Sequence, residues 1–376
     1  MTQVLISNAD KLRKMKRISY RARSAFIILV LMSFQAFANN EWVSFYSNTR
    51  SLGMGGCSVA VSSDETALYR NPANLGSVRD LYGTALDPEL EGSSNFVQQV
   101  SSNSTSKAFD LQEISKVLNS NRQTYYHAKL QGSPSLVRRN VGFGLIYKSE
   151  VSAETEATGT TMDTRYQNDF GAVVGASLRL FDGRLKIGGS VKALSRIEVV
   201  NPLLPTAGPF DLSKIGSEGT AIAFDGGLLL QIPWMFLPTL GAVVHDVGDT
   251  KFDKQDGLRL STGTRPAPVT QSVDAAIAIF PIFSNTVRSV WTLEYSDITN
   301  SRNDTDNMKR VHLGIEISSR DLFSVRMGYN QRYWTAGFEV ASERLQWQVS
   351  SYGEEIGTLT APREDRRLNT KVSIRF

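Results

Sequence analysis

Apolar and polar residues alternate with a period of two along most of this chain. In the final stretch Leu368, Thr370, Val372, Ile374 and Phe376 share one side, and Arg367, Asn369, Lys371, Ser373 and Arg375 the other. Leu185, Ile187, Val191 and Ala193 oppose Lys186, Ser190 and Lys192 in the same way, and Val311, Leu313, Ile315 and Ile317 oppose His312 and Glu316. Such alternation predicts strands with two chemically different faces. Fourteen segments carry it: 79–90, 123–135, 141–155, 164–181, 184–199, 219–232, 238–250, 269–281, 286–299, 309–318, 321–330, 333–342, 343–353 and 366–376.

A sandwich in water also alternates, so three further features choose the solvent. Many of the segments run ten residues or more, whereas globular strands average about five or six and tilted membrane strands need about nine to eleven. Short connections (137–140, 182–183, 319–320, 342–343) take turns with longer ones (91–122, 200–218, 251–268, 300–308, 354–365). Outer-membrane barrels have this asymmetry, with short periplasmic turns and longer outer loops. The chain also ends on Phe376 after an alternating strand, which folding in water does not require and an assembly-recognition signal explains. Trp291, Tyr295, Tyr329, Trp334 and Trp347 fall on the apolar side, as an interfacial girdle does. Lys148, Glu150, Lys192, Arg196, Glu294 and Glu316 fall on the polar side, as do Arg179 and Arg344. Charges of both signs in one enclosed space pair with each other rather than form a single-sign filter, so the polar side reads as a braced lumen.

One stretch breaks the alternation. Residues 50–75, RSLGMGGCSVAVSSDETALYRNPANL, place Gly53, Gly55 and Gly56 within four residues and end on Asn71-Pro72. Pro72 lacks an N–H and disfavours a helical Asn71, so a helix starting near Asp64 stops there. Glycines of this kind allow tight backbone packing, and the stretch reads as an irregular insert that needs a wall around it. In the loop 91–122, Phe109, Leu111, Ile114, Val117 and Leu118 recur at helical spacing, predicting a short amphipathic helix at the rim.

Composition changes the picture at one end only. The pI near 9.0 points to nucleic acid until its source is located. Residues 1–38 hold seven Lys/Arg and one acid, a net +6, so the formal +4 of the chain becomes −2 without them. These residues form a basic region ending at Arg23, an apolar run from Ala25 to Phe34, and Ala36-Phe37-Ala38, which is the pattern of a cleaved export signal. No nucleic-acid partner is expected for the remainder. Cys57 is the only cysteine, so an intramolecular disulfide is excluded.

Little in the sequence carries chemistry. His127, His245 and His312 lie on well-separated strands without HxxH or HExxH spacing, so no metal is expected. His245-Asp246 invites a hydrolase reading, but neighbours on a strand face opposite ways, and there is no GxSxG. Gly53 to Gly56 lacks the Gly-Lys-Ser/Thr of a phosphate loop. No catalytic residue and no cofactor is assigned.

The stretch from Gly53 to Ala73 resembles the N-terminal segment of the FadL-type outer-membrane transporters and their PorV/PorQ-like relatives. The shared elements are the glycine-rich Gly53 to Gly56, an Asp-x-x-Ala-x-Tyr run at Asp64 to Tyr69, and Asn71-Pro72-Ala73. Residues 312–340 and 351–367 look like the closing strands of the PorV-like branch. The resemblance implies an all-β fold, a transmembrane antiparallel up-and-down β-barrel of about 14 strands, with an N-terminal hatch over residues 39–78 in the lumen of a barrel spanning 79–376. It implies hydrophobic cargo such as long-chain fatty acids or, on the PorV-like side, service to a secretion or surface-attachment system through exported proteins. The expected hatch residues are Gly53, Gly55, Gly56, Asp64, Tyr69, Asn71 and Pro72, and Phe376 is the expected assembly signal. The expected surroundings are outer-membrane lipid, lipopolysaccharide and the barrel-assembly machinery.

Overall fold

The computed structural model describes residues 41–42, 44–97, 109–204, 210–253, 258–260 and 262–376. The export signal predicted over residues 1–38 lies outside the described residues. No described helix is long and apolar enough to cross a membrane.

The described residues form one antiparallel sheet of sixteen strand segments, of which two collinear pairs count as single strands, giving a closed barrel of fourteen. The first strand, β1, is Tyr82–Leu86 continued by Glu89–Ser93, and β2 is Tyr125–Gly132 continued by Ser135–Arg138. Then come β3 (Val141–Thr155), β4 (Met162–Leu180), β5 (Leu185–Leu203), β6 (Ser217–Gln231) and β7 (Thr239–His245). The remainder are β8 (Ser272–Ile279), β9 (Val287–Tyr295), β10 (Val311–Ser319), β11 (Phe323–Asn330), β12 (Tyr333–Ala341), β13 (Leu345–Glu355) and β14 (Glu364–Arg375). Each strand pairs with the next, and β14 closes on β1 through Leu368↔Gly92 and Thr84↔Arg375. Closure leaves no unpaired edge, which a bilayer demands of any sheet that spans it.

The two faces sort as the alternation predicts. Phe143, Leu145, Val174, Ile187, Phe224, Ile315, Val325 and Val372 are exposed on the outside, with Trp291, Trp334 and Trp347 among them. Lys148, Glu150, Lys192, Arg196, Glu294, Glu316, Arg326 and Lys371 are buried on the inside. This is the inverse of a soluble protein, and it places lipid outside and the polar core within. Arg179 and Arg344 depart from the expectation. Arg179 is exposed at the barrel end, and Arg344 belongs to a turn closed by Ser342 N–H donating to the Leu345 carbonyl (2.7 Å), so β13 starts two residues late.

The first strand also differs from its predicted range of 79–90. It runs on to Ser93 because Glu91 and Ser93 are inward positions paired with His127 and Lys129 chemistry across β2. Its break falls at Asp87-Pro88, opposite a break in β2 at Ser133-Pro134, since neither proline donates to the ladder. The Asp87 carboxylate spans the interruption, accepting from the Ser133 N–H (2.6 Å) and hydroxyl (2.7 Å). Strand β7 ends at His245 rather than at 250, because Asp246 (φ 53°) and Gly248 (φ 79°) turn the chain away. The rim helix, α3 in chain order, is Leu111–Ser120, with Leu111, Ile114 and Leu118 buried against Phe96, Tyr126, Met162 and Leu203.

Residues 44–78 run along the inner wall. They contain the short helices α1 (Thr49–Gly53) and α2 (Ala67–Arg70) and a 3-10 turn over Pro72–Ser77. Leu68, Tyr69 and Leu75 are packed with Val137, Ile146 and Val173 of the wall. Met54, Val59 and Ala60 are packed with Leu229, Val243 and Ala276 on another side.

Candidate functional site

The inner segment is keyed to the wall by its backbone. Met54 lies against Gly314, Gly53 against Gly337, the Val59–Ala60 backbone against Gly241, and Pro72–Ala73 against Gly188. A Cβ at Gly188, Gly241 or Gly314 would overlap the segment, and one at Gly337 would press on it at 3.1 Å. The inward face therefore carries glycine where the segment's backbone comes closest, and charged side chains such as Glu294 and Glu316 where its side chains and N–H groups need partners.

Each residue singled out by the sequence has a definite place. The Gly53 carbonyl accepts from the Thr335 hydroxyl (3.0 Å), and that hydroxyl's Oγ1 in turn accepts from the Gly55 N–H (3.0 Å). Gly55 (φ 69°) and Gly56 (φ 92°) have left-handed backbones, and the Gly55 carbonyl accepts from His312 Nδ1 (2.8 Å). Asp64 accepts from Arg50 (3.1 Å) and from the Thr66 N–H (3.0 Å), while Arg50 also pairs with Glu316 of β10 (2.8 Å). Tyr69 stacks on Tyr46 (4.6 Å between centroids) and donates to the Leu145 carbonyl (2.9 Å), beside the interruption in β2. Asn71 caps the turn that Pro72 opens: its Oδ1 accepts from Ala73 N–H (3.1 Å) and its Nδ2 donates to the Val59 carbonyl (2.9 Å). Phe376 is at the opposite end from the long loops, with its ring against Gly83 and backbone bonds to it in both directions.

Above the segment, toward the long loops, lies a cavity of about 430 Å³. Trp42, Phe45 and Tyr46 form its floor, and β4, β5, β7, β8, β10, β11 and β13 contribute its walls. Most charges around it are neutralised in place. Lys192 pairs with Asp225 (2.8 Å) and Asp246 (3.2 Å) above the Phe45 ring, and Arg196 forks onto Asp169 (2.7 and 2.9 Å) above Phe252. Arg70 reaches Glu294 (3.5 Å), whose carboxylate also accepts from the Ser58 and Val59 N–H groups (2.7 and 2.9 Å). The Glu294 contacts fix the segment to the wall, which the sequence could not show because those partners are more than 200 residues apart.

The histidines do not assemble into one site. His312 serves Gly55, and His245 lies 3.8 Å from Asp225 and 3.7 Å from Asp274. The turn at Asp246 brings both His245 and Asp246 to the cavity, contrary to the opposite facing expected of strand neighbours. Asp246 is nevertheless taken by Lys192 and does not orient the imidazole. His127 is brought within 4.8 Å of Glu41 and Glu150, a set able in principle to hold a metal. Its ring nitrogens are engaged by Ser152 Oγ (2.9 Å) and Glu91 (3.0 Å), while Arg367 holds Glu41 (2.7 Å) and Lys148 holds Glu150 (3.1 Å). The donors are thus committed to protein partners, and the cluster is an ion-pair network.

No protein-family model matches the sequence, and no curated protein does. Solved structures do match. A monoaromatic hydrocarbon channel, CymD, superimposes with a TM-score of 0.54 at 12% identity over 86% of this chain and 96% of that one. The toluene transporter TodX of Pseudomonas putida gives 0.50 at 13% identity over 88% and 97%, and the toluene transporter TbuX of Ralstonia pickettii gives 0.50 at 14% over 88% and 98%. At these identities the likeness is one of fold: the chain has the barrel of the FadL/TodX type.

Proposed function

We propose that this protein is an outer-membrane channel that passes small apolar or amphipathic molecules without an energy source, and that residues 41–78 are its hatch. The carrying observation is the cavity of about 430 Å³ lying directly on the inner segment, within a barrel of hydrocarbon-channel fold. Cargo would enter between the long loops and rest on Trp42, Phe45 and Tyr46. Straight passage is blocked by the segment, so the favoured exit is lateral, at the facing interruptions Asp87-Pro88 and Ser133-Pro134 that Tyr69 and Asp87 now span. The cavity mixes aromatic faces with charges, so amphipathic cargo suits it better than a bare hydrocarbon, and long-chain fatty acids fall within that class. Nothing in this arrangement calls for catalysis. The barrel would sit among outer-membrane lipid and lipopolysaccharide, with Phe376 read by the assembly machinery.

One observation favours a second reading. The hatch is pinned to the wall by backbone–glycine contacts and by the buried Arg50–Glu316 and Arg70–Glu294 pairs, which suits a rigid accessory barrel that docks exported proteins. Lipid extraction and mass spectrometry of the detergent-purified protein separates the two. Enrichment of an apolar or amphipathic compound supports the channel; an empty barrel that retains a specific exported protein overturns it in favour of docking.

A further inference from the structure

Five Lys/Arg side chains line the cavity, and three of them have carboxylate partners: Arg70, Lys192 and Arg196. Arg165, near the long-loop end of β4, and Arg302, in the loop after β9, have neither an ion pair nor a side-chain hydrogen bond among the described residues. Arg165 Nε is buried without a partner. Arg302 stands over the Trp42 ring, its Cζ 4.7 Å from the centroid, and Trp42 donates Nε1–H to Asp304 (3.2 Å). Arg302 lines the cavity yet is solvent-exposed, and the carboxylates of Asp274, Asp297 and Glu354 and the Arg165 charge act on it. Among the described residues, none of those carboxylates makes an ion pair with Arg302; each accepts from neutral donors instead, Asp274 from Asp297 N–H, Asp297 from Ser301, and Glu354 from Asn330 and Gln331. The donors left over in this cavity are therefore cationic, on two planar forks.

We propose that Arg165 and Arg302 form the head-group site for a small organic carboxylate, whose apolar body lies against Trp42 and Phe45. Guanidinium groups that lack a counter-ion at a partly open cavity are suited to a planar oxyanion, which each can grip with two N–H donors. At about 430 Å³ the cavity stands at the small end of ligand sites, which run from about 300 to 1,000 Å³, and this limits the body to a ring or a short chain. The proposal deepens the channel reading and rests on the cavity being its cargo site.

The test uses the full mature protein in detergent, with benzoate, benzyl alcohol and inorganic phosphate as probes and Trp42-sensitive fluorescence or calorimetry as readout. Benzoate should bind saturably and more tightly than benzyl alcohol. Arg165→Gln and Arg302→Gln should each weaken benzoate by about tenfold, the scale of one charge-assisted hydrogen bond, and leave benzyl alcohol unchanged. Arg288→Gln, outside the cavity, should change neither, and retention of the heat-dependent gel shift confirms that each variant is folded. Equal binding of benzoate and benzyl alcohol, no benzoate binding, or unchanged affinity in both arginine variants overturns the site. Complete competition by phosphate at matched concentration overturns the organic-ligand assignment, because a bare oxyanion then suffices. Benzyl alcohol flux into proteoliposomes reads the channel separately. Flux without benzoate selectivity keeps the channel and removes the anion site; benzoate selectivity without any flux does the reverse.

Discussion

At Gly188 an added methyl group would fall on the backbone of Pro72 and Ala73, and at Gly227 on the Asn71 amide. Neither glycine needs an unusual backbone; each is there because another stretch of main chain passes too close for a Cβ. Gly188→Val should therefore push the hatch off the wall, at the 1–3 kcal/mol typical of overpacking, while the barrel itself persists. The expected result is protease cutting within residues 41–78 with an unchanged heat shift on a gel. Gly226→Val on the outward face, where nothing lies within 4 Å, is the matched control and should have no effect. Asn71 acts differently, through two buried hydrogen bonds. Asn71→Ala should cost about 1–3 kcal/mol of hatch docking, because the Ala73 N–H loses its acceptor.

At the level of elements, the clamp between α1 and β10 makes docking depend on pH. Burial raises the Asp64 carboxyl, but the Arg50 charge and the hydrogen bonds from Thr66 outweigh it and hold it below its ordinary value of 3.8. A carboxyl depressed by folding stabilises the folded state above its unfolded pKa, about 4, and that contribution is lost as pH falls through the lower folded value. Hatch docking, followed by Trp42 fluorescence, should thus be flat near neutrality and loosen from about pH 4 downward. Asp64→Asn should be looser at neutral pH and should lose part of the acid dependence; an identical acid profile in the variant would remove Asp64 from this role. The strands were legible element by element because their alternation is local: Leu368 to Phe376 and Arg367 to Arg375 separate faces without reference to any neighbour. The ends were less legible. That β1 continues to Ser93, and that β7 stops at His245, depends on Lys129 and His127 across the ladder in one case and on the left-handed Asp246 in the other.

At the level of the whole molecule, closure by β14 onto β1 encloses residues 44–78, so deleting Gly53–Ala73 should leave a barrel with an open lumen. Proteoliposomes carrying that deletion should leak small solutes that the intact protein retains, and a heat-modifiable deletion variant that stays tight would show that the loops, not the hatch, seal the pore. The sequence by itself determined the solvent of each face, the parity of the strands, the side on which long loops gather, and the presence of an insert between Arg50 and Leu75. These follow from the period of two, from turn chemistry and from proline, all of which act within a few residues. Only the tertiary structure decided that the insert lies against wall glycines, that Arg50 finds Glu316 and Arg70 finds Glu294, and that Arg165 and Arg302 face one cavity without an ion pair among the described residues. Those pairings join residues separated by more than a hundred positions, and a barrel brings them together only through strand tilt and register, which no local pattern records.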